Sequence, residues 1–198
     1  KEPIIYEKGK IKILLIDCGV KHSIIKSFLK RDCSVIRVPW DYDFSKMDYH
    51  AAVVSNGPGD PKKCKKTIKN VQKLIKEETP VFGICLGNQI LALAIGSDTY
   101  KLKYGHRSQN QPCINRKNKR CYITSQNHGF SVDSKTLPRD WEEWFYNGND
   151  DTNEGIIHKS GLFRSVQFHP EANPGPKDTT FLFDDFIETI KKRYNGNL

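Results

Sequence analysis

The sequence lacks the features that mark membrane and secreted proteins. No stretch approaches the roughly 20 consecutive apolar residues that a membrane-spanning helix requires. The first residues, KEPIIYEKGKIKILLID, lack the basic segment, long apolar run and small-residue cleavage site of a secretory signal. Internal repeats and low-complexity tracts are also absent. We therefore expect a soluble, cytoplasmic protein with no membrane partner.

The cysteines lack the spacings that hold a metal or build a disulfide framework. All six are scattered, with no CxxC pair and no ladder of Cys and His at zinc-ligand spacing. We expect reduced thiols and no metal site.

The positive charge also lacks the pattern of a nucleic-acid-binding protein. The formal net charge of +9 comes from lysines spread over the whole length, not from an arginine-rich block interleaved with aromatic residues. Solvated lysine-rich faces are the commoner cause of such a charge, so we expect no nucleic-acid partner.

What is present is a regular alternation of strand and helix patterns in the first half of the chain. Apolar runs such as IKILLID, AAVVS and PVFGIC alternate with amphipathic segments such as KHSIIKSFLKR and KKTIKNVQKLIKEE. This predicts an α/β fold in three layers, a mostly parallel open sheet with helices on both faces. From residue 97 to about 168 shorter runs with turn signals predict hairpins, which form a small antiparallel extension, and a final strand; DTTFLFDDFIETIKKR predicts a closing helix.

The chain is long enough for one substantial core and too short for two ordinary domains. Its 198 residues are 37% hydrophobic. We expect one domain over residues 11–198 and interpret the charged residues 1–10 as the remnant of a linker.

Polar stretches follow three of the predicted strands: CGVKHS, NGPGDP and CLGNQ. In open α/β sheets ligands bind at the carboxyl ends of the strands. Functional residues are therefore expected in these three stretches.

Cys85 is the strongest candidate nucleophile. In VFGICLGNQI it follows an apolar strand with a glycine two positions away on each side, as a sharp strand-to-helix turn requires. There the helix N-terminus favours a thiolate, and the N–H of Leu86 would face the oxyanion. A small apolar filler at a strand end is the alternative.

His169 is the candidate base. It follows an apolar strand in SVQFHPEANPG, with Glu171 two residues further on. In extended backbone these two side chains share a face, so Glu171 could orient the imidazole and complete a triad. A hydrogen-bonded surface histidine is the alternative for an isolated HPE.

Two further stretches suit recognition of a polar ligand. SNGPGDP carries Gly57 and Gly59, which leave backbone N–H groups free to face an anion; no GK[ST] follows, so we infer no nucleotide site. An ordinary strand-to-helix turn is the alternative. SQNHGF, at 125 to 130, offers amide and backbone donors from a predicted loop.

SNGPGDP, GICLGNQ and FHPE together resemble class I (triad-type) glutamine amidotransferases. YGHRSQNQPC, TSQNHGF, NEGIIH and QFHPEANPGPKDTTFLFDDF are similar to the glutaminase domain of the carbamoyl phosphate synthetase small subunit. The resemblance covers residues from about 10 to 190.

The resemblance implies a role for each matching residue. It makes Cys85 the nucleophile, His169 the general base and acid, and Glu171 the orienting carboxylate. The implied substrate-binding positions are Gly57, Gly59, Leu86, Gln89, Asn127, Gly129 and Phe130. The other histidines match no catalytic position, and we interpret His22, His50, His106, His128 and His158 as structural.

The resemblance also implies the reaction: hydrolysis of the side-chain amide of L-glutamine through a cysteine thioester. The ammonia would pass to a carbamoyl phosphate synthetase large subunit or fused synthetase domain. No cofactor is expected in this domain, with ATP and Mg only on the synthetase partner. The alternatives are an amidotransferase for anthranilate, GMP or CTP synthesis, a domain that only assembles a complex, and a peptidase-like hydrolase on the same fold.

Two departures from the family pattern stand out. Many members carry histidine where this chain has Asn88, from which we expect little effect on chemistry. In the family, the small subunit has a further N-terminal domain that contributes a serine to the glutamine site, and no stretch here corresponds to it. We therefore expect the chain to be a fragment of a longer polypeptide.

Overall fold

The computed structural model describes residues 2–195, which form a ten-stranded mixed sheet with helices on both faces. The strands are β1 (Ile4–Tyr6), β2 (Ile11–Asp17), β3 (Cys33–Pro39), β4 (Ala51–Val54), β5 (Val81–Ile84), β6 (Thr99–Asn115), β7 (Cys121–Val132), β8 (Trp141–Asn147), β9 (Asn153–His158) and β10 (Phe163–Val166). The helices are α1 (His22–Leu29), α2 (Lys65–Lys76), α3 (Leu86–Ala94) and α4 (Phe181–Arg193).

The strand order across the sheet is β1-β3-β2-β4-β5-β10-β9-β8-β6-β7. The five strands from β3 to β10 run parallel to one another. The strands β4, β5 and β10 are completely buried, as expected for parallel strands covered on both faces. The parallel half therefore confirms the predicted α/β fold class.

Two hydrophobic cores, one on each face of the sheet, make the three layers. Ile13 and Leu15 of β2 point into the core covered by α1 and α4, whereas Leu14 and Ile16 point into the core covered by α2 and α3. This alternation follows from the period of two along a strand. Each of these four side chains is fully buried.

The antiparallel extension consists of β9, β8, β6 and β7, with β6 and β7 forming a long hairpin. One sequence prediction is wrong here: residues 125 to 130 lie within β7 and not in a loop. The two faces of β7 lie in different environments, so polar and apolar residues are mixed in SQNHGF. Such a mixture is also typical of loops, which is why the sequence predicted one here.

At the other edge, β1 pairs antiparallel with β3, through Ile4 opposite Arg37 and Tyr6 opposite Val35. Residues 4–6, within the segment interpreted as a linker, thus belong to the sheet. Within residues 2–195, no helix is both long and apolar enough to cross a membrane.

Candidate active site

The candidate site lies at the carboxyl edge of the parallel strands, where three neighbouring strands end. Cys85 directly follows β5, and His169 lies three residues beyond the end of β10. Because β5 and β10 are adjacent and parallel, their ends bring the thiol and the imidazole together. The loop with Gly57 and Gly59 follows β4, the next strand across the sheet.

Cys85 has a left-handed backbone, with φ of 56° and ψ of −102°. A non-glycine residue in this region is strained, and such strain is typical of the elbow that carries a nucleophile between a strand and a helix. The N–H of Cys85 donates to the carbonyl of Val166 at 2.9 Å, which joins the elbow to the strand that leads to His169.

The two glycines beside Cys85 allow the elbow to pack closely. A Cβ on Gly83 would overlap the carbonyl group of Gly87, and a Cβ on Gly87 would overlap the carbonyl group of Val54. The G-x-C-x-G spacing therefore reflects close approach of backbone to backbone. It places the start of α3 next to the thiol. The N–H groups of Asn88 and Gln89 donate to the carbonyl of Cys85, whereas those of Leu86 and Gly87 have no acceptor within the helix.

His169 and Glu171 form a buried pair. Nδ1 of His169 lies 2.7 Å from Oε1 of Glu171, and the two residues are 5% and 7% exposed. Burial alone would lower the pKa of His169, but its hydrogen bonds to Cys85 and Glu171 raise this pKa to about 9. Burial would raise the pKa of Glu171, but the adjacent His169 and Lys21 hold it below its usual value.

Lys21 is a member of this cluster that the sequence analysis missed. Its Nζ lies 3.2 Å from Oε1 of Glu171, although its backbone belongs to the turn that follows β2. Lys21 lies in CGVKHS, one of the three stretches in which functional residues are expected because they follow parallel strands. The sequence alone does not indicate which residue of that stretch belongs to the site. Its charge helps to keep the buried carboxylate ionised.

A cavity of about 690 Å³ opens in front of Cys85. Asn127 faces Cys85 from β7, with its backbone carbonyl 3.9 Å from Sγ of Cys85. The cavity is large enough for an amino acid, and pockets that bind small ligands have comparable volumes.

The structure brings together all ten residues predicted for the site. Nine of them line the cavity: Gly57, Gly59, Cys85, Leu86, Gln89, Asn127, Gly129, Phe130 and His169. Glu171 is not in the lining and lies behind His169. The positions agree with the predicted roles, and the roles themselves remain predictions.

Gln89 has a structural contact in addition to its place in the cavity lining. Its side-chain amide donates to the carbonyl of Phe130 and to Oε1 of Gln167, each at 3.0 Å. This connects α3 to β7 across the pocket. Asn88 is fully buried, donates to the same Gln167 oxygen at 3.1 Å and is absent from the cavity lining.

The loop after β4 is fixed against the turn after β2. Asn56 accepts from the N–H of Lys21 at 2.9 Å and donates to the carbonyl of Gly19 at 3.1 Å. A Cβ on Gly57 would overlap the carbonyl group of Cys18 and the side chain of Leu86. Glycine at position 57 is therefore required by close packing beside the cavity.

Several further cavity residues lie outside the predicted set. Lys101 and Arg107, both on β6, face the cavity beside the predicted residues of β7. His128, interpreted from sequence as structural, also contributes to the lining. These residues reach the cavity through the pairing of β6 with β7. Arg107 and His128 lie in the stretches YGHRSQNQPC and SQNHGF, but neither of them was assigned to the site from the sequence.

Comparisons with known proteins agree with this geometry. The model of the family described as glutamine amidotransferase class-I matches residues 14–189. The multifunctional protein CAD of Squalus acanthias is 55% identical over 194 residues, which are 96% of this chain and 9% of that protein. The carbamoyl phosphate synthase arginine-specific small chain of Emericella nidulans is 48% identical over 189 residues, 94% of this chain and 42% of that one.

A solved structure supports the fold independently. It is described as a putative GMP synthase component from Thermoplasma acidophilum, with a TM-score of 0.81 and 22% identity, and the match covers 93% of this chain and 96% of that one. The chain spans less than half the length of both sequence relatives named above. Because the family model matches most of the chain, this protein belongs to the class I glutamine amidotransferases.

Proposed function

We propose that this domain hydrolyses the side-chain amide of L-glutamine and supplies the ammonia to a carbamoyl phosphate synthetase component. The observation that carries the proposal is the elbow cysteine, Cys85, beside the buried His169–Glu171 pair at the edge of a cavity. The names of the sequence relatives, a carbamoyl phosphate synthase small chain and a multifunctional protein, support the choice of acceptor.

In the first half of the reaction the sulfur of Cys85 attacks Cδ of glutamine, after its proton has passed to His169. The tetrahedral intermediate collapses as His169 protonates the leaving nitrogen, which departs as ammonia and leaves a γ-glutamyl thioester. A ring with a pKa of about 9 holds its proton at neutral pH and is well suited to the acid role.

In the second half, water attacks the thioester and glutamate leaves. His169 accepts the proton of that water and returns it to the sulfur, so the enzyme is restored with no net proton change on the triad. Glu171 keeps the imidazole oriented through its 2.7 Å hydrogen bond and balances the positive charge.

The oxyanion of both intermediates would face the N–H of Leu86, at the start of α3, and the loop that carries Gly57 and Gly59. Backbone donors fixed in this way need no rearrangement when charge develops, which is why they lower the barrier effectively. Asn127, Gly129 and Phe130 form the opposite wall, where the glutamine backbone would be held.

The acceptor of ammonia is a synthetase large subunit or a synthetase domain fused to this one. ATP and Mg would act there, and we assign no cofactor to this domain. We place the reaction in the cytoplasm.

Ammonia release from glutamine, measured with and without the synthetase component, tests the proposal. An amidotransferase without an acceptor would waste glutamine, so we expect slow release by the chain alone. Adding the synthetase component should increase the rate at least about tenfold, within the usual range of coupling between sites. Equal rates would contradict coupling to a synthetase, and preference for γ-glutamyl peptides would favour a free-standing hydrolase.

A further inference from the structure

A polar cluster lies in the antiparallel extension beside the pocket wall. It consists of His106 on β6, Gln126 and His128 on β7, and Glu154 on β9, and we call it the β6–β9 cluster. Glu154 is completely buried. The predicted triad and glutamine-binding positions include none of these four residues.

His106 is hydrogen bonded through both ring nitrogens. Nδ1 lies 3.0 Å from Oε1 of Gln126 and 3.3 Å from Oε1 of Glu154, while Nε2 lies 2.9 Å from Oδ2 of Asp150. All three partners present oxygen acceptors, so both ring nitrogens carry a proton. The hydrogen bond to Glu154 outweighs the opposing effect of burial and, together with Asp150, raises the pKa of His106 to about 9.

Glu154 depends on these same neighbours for its charge. Burial raises the pKa of Glu154, and the hydrogen bonds from His106 and Asn147 oppose that rise without cancelling it. Within residues 2–195, its second oxygen, Oε2, is buried without a hydrogen-bond partner. The contact with His106 favours the ionised form of Glu154, so removing His106 would leave a buried carboxyl group without its counter-charge. His106 would keep Asp150 as a partner if Glu154 were removed.

The cluster could also be considered as a metal site, because ligand atoms of His106, His128 and Glu154 lie within 4.8 Å of one another. A metal would require an unprotonated nitrogen on each ring. His106 uses both nitrogens as donors to oxygen atoms, which favours a charged hydrogen-bond cluster over metal ligation.

His128 connects the cluster to the pocket wall. Its Nδ1 donates to the carbonyl of Phe130 at 2.8 Å, and its Nε2 lies 3.0 Å from Oε1 of Gln126. The same Phe130 carbonyl accepts from Gln89 of α3 at 3.0 Å. The ring of His106 packs edge-on against the ring of His128, with their centroids 4.9 Å apart. The orientation of His128 thus fixes the Phe130 carbonyl, and with it the segment from Asn127 to Phe130.

We propose that Glu154, paired with His106, is a positioning residue for glutamine binding: it fixes His128 and thereby the wall formed by residues 127–130. This inference rests on the proposed glutaminase function. Glu154 itself lies outside the cavity lining, so its effect is transmitted through His128. A positioning residue of the binding wall should change the KM for glutamine more than kcat.

The test is steady-state ammonia release by the holoenzyme with its synthetase component, comparing wild type with Glu154→Gln. We expect KM for glutamine to rise roughly tenfold, the size of effect of one badly satisfied buried hydrogen bond, with kcat within about twofold of wild type. Glu154→Asp keeps the charge on a shorter side chain and should give an intermediate KM. Glu142→Gln makes the same chemical change at an exposed position on the adjacent β8 and should have no effect.

The outcomes separate this inference from the proposed function. If wild type is active and Glu154→Gln leaves KM unchanged, or lowers kcat and not KM, the positioning role is wrong while the glutaminase function stands. If wild type releases no ammonia from glutamine, the proposed function fails, and this inference with it. If the purified wild-type holoenzyme contains stoichiometric zinc and Glu154→Gln does not, the cluster is a metal site and the positioning role is wrong.

Should Glu154→Gln fail to fold, Asp150→Asn decides the question. Asp150 bonds the outer nitrogen of His106 and is half exposed, so its replacement should perturb folding less. We expect KM to rise about threefold, as for loss of a partly exposed ion pair, with kcat unchanged. An unchanged KM in this variant would overturn the inference.

Discussion

The two halves of the sheet contribute to the pocket in different ways. The parallel half supplies Cys85, His169 and Glu171 from turns at strand ends, held by strained or closely packed backbone. The antiparallel half supplies the facing wall from within β7, held by pairing with β6, which shifts register between Lys101 and His106, and by buried side chains behind it. Turns at strand ends allow exact placement of reacting atoms, and a strand gives an extended row of backbone groups suited to binding an amino acid.

This difference has a kinetic consequence. In the proposed reaction, residues of the parallel half would contact the reacting atoms, so changes there should lower kcat. Residues of the antiparallel half would contact the unreactive part of glutamine, so changes there should raise KM. Variants from each half test this division of roles.

The largest effect is expected for Cys85→Ser. A hydroxyl fits the space of the thiol but is a far weaker nucleophile at neutral pH, so kcat should fall at least about 10³-fold. The variant should remain folded, which its thermal unfolding midpoint would show. A folded variant with nearly normal turnover would remove Cys85 from the chemistry.

Cys18 provides the matched control, since it also follows a parallel strand of the same sheet. Burial raises the pKa of Cys18 to about 12, so this thiol stays protonated at neutral pH. Cys18→Ser should keep near wild-type kcat. A comparable loss in both variants would mean that the measurement reports disturbance of the sheet edge and not loss of the nucleophile.

A smaller loss of kcat is expected for Glu171→Gln. If Glu171 only orients and stabilises the His169 ring, kcat should fall roughly 10- to 100-fold, which is less than for His169→Asn. The pH dependence is a more specific readout. In the proposed reaction the imidazolium of His169 protonates the leaving nitrogen; it is present below the pKa of His169, about 9, and is lost as the pH rises through it.

Replacing the Glu171 carboxylate removes one cause of that raised pKa. The alkaline decline of kcat should therefore move to lower pH in Glu171→Gln, as measured by a pH profile of ammonia release. Equal loss in Glu171→Gln and His169→Asn would give the carboxylate a larger role than orientation. No loss and no shift would remove Glu171 from the site.

The parallel half of the site was predictable from the sequence because its residues follow recognisable strands. IKILLID, AAVVS and PVFGIC are buried apolar runs, and parallel strands must end at a common edge. The convergence of Cys85 and the loop with Gly57 follows from that rule. His169 joins them because β10 pairs parallel with β5, a pairing that the sequence did not predict. The residue types then limit the possible reactions, because few kinds of active site combine a cysteine between close-packed glycines with an HPE sequence.

The antiparallel half was predictable only in outline. Contacts such as His106 with Glu154 join residues far apart in sequence, and they depend on the register of three strands. A one-residue change in register would turn each of these side chains to the other face. The contact of Lys21 with Glu171 is similarly remote, so sequence could place Lys21 at the correct edge but not beside its partner.

The smallest effect is expected at Gly129, and comparison with Gly57 tests the two halves directly. Both glycines line the cavity, one from each half. A Cβ on Gly57 would overlap the Cys18 carbonyl group and the side chain of Leu86, the residue that follows Cys85. A Cβ on Gly129 would come no nearer than 3.7 Å to the side chain of Arg107.

Gly57→Ala should therefore lower stability by about 1–3 kcal/mol through overpacking and reduce kcat about tenfold by displacing Leu86. Gly129→Ala should fold normally and raise KM only about twofold, because the added methyl makes no close contact and substitutions of that kind usually change free energies by no more than about 0.5 kcal/mol. Thermal unfolding and glutamine kinetics on both variants would check this. If Gly129→Ala instead lowers kcat as much as Gly57→Ala, then the wall on β7 takes part in the chemistry, and the separation of reacting edge from binding wall is wrong.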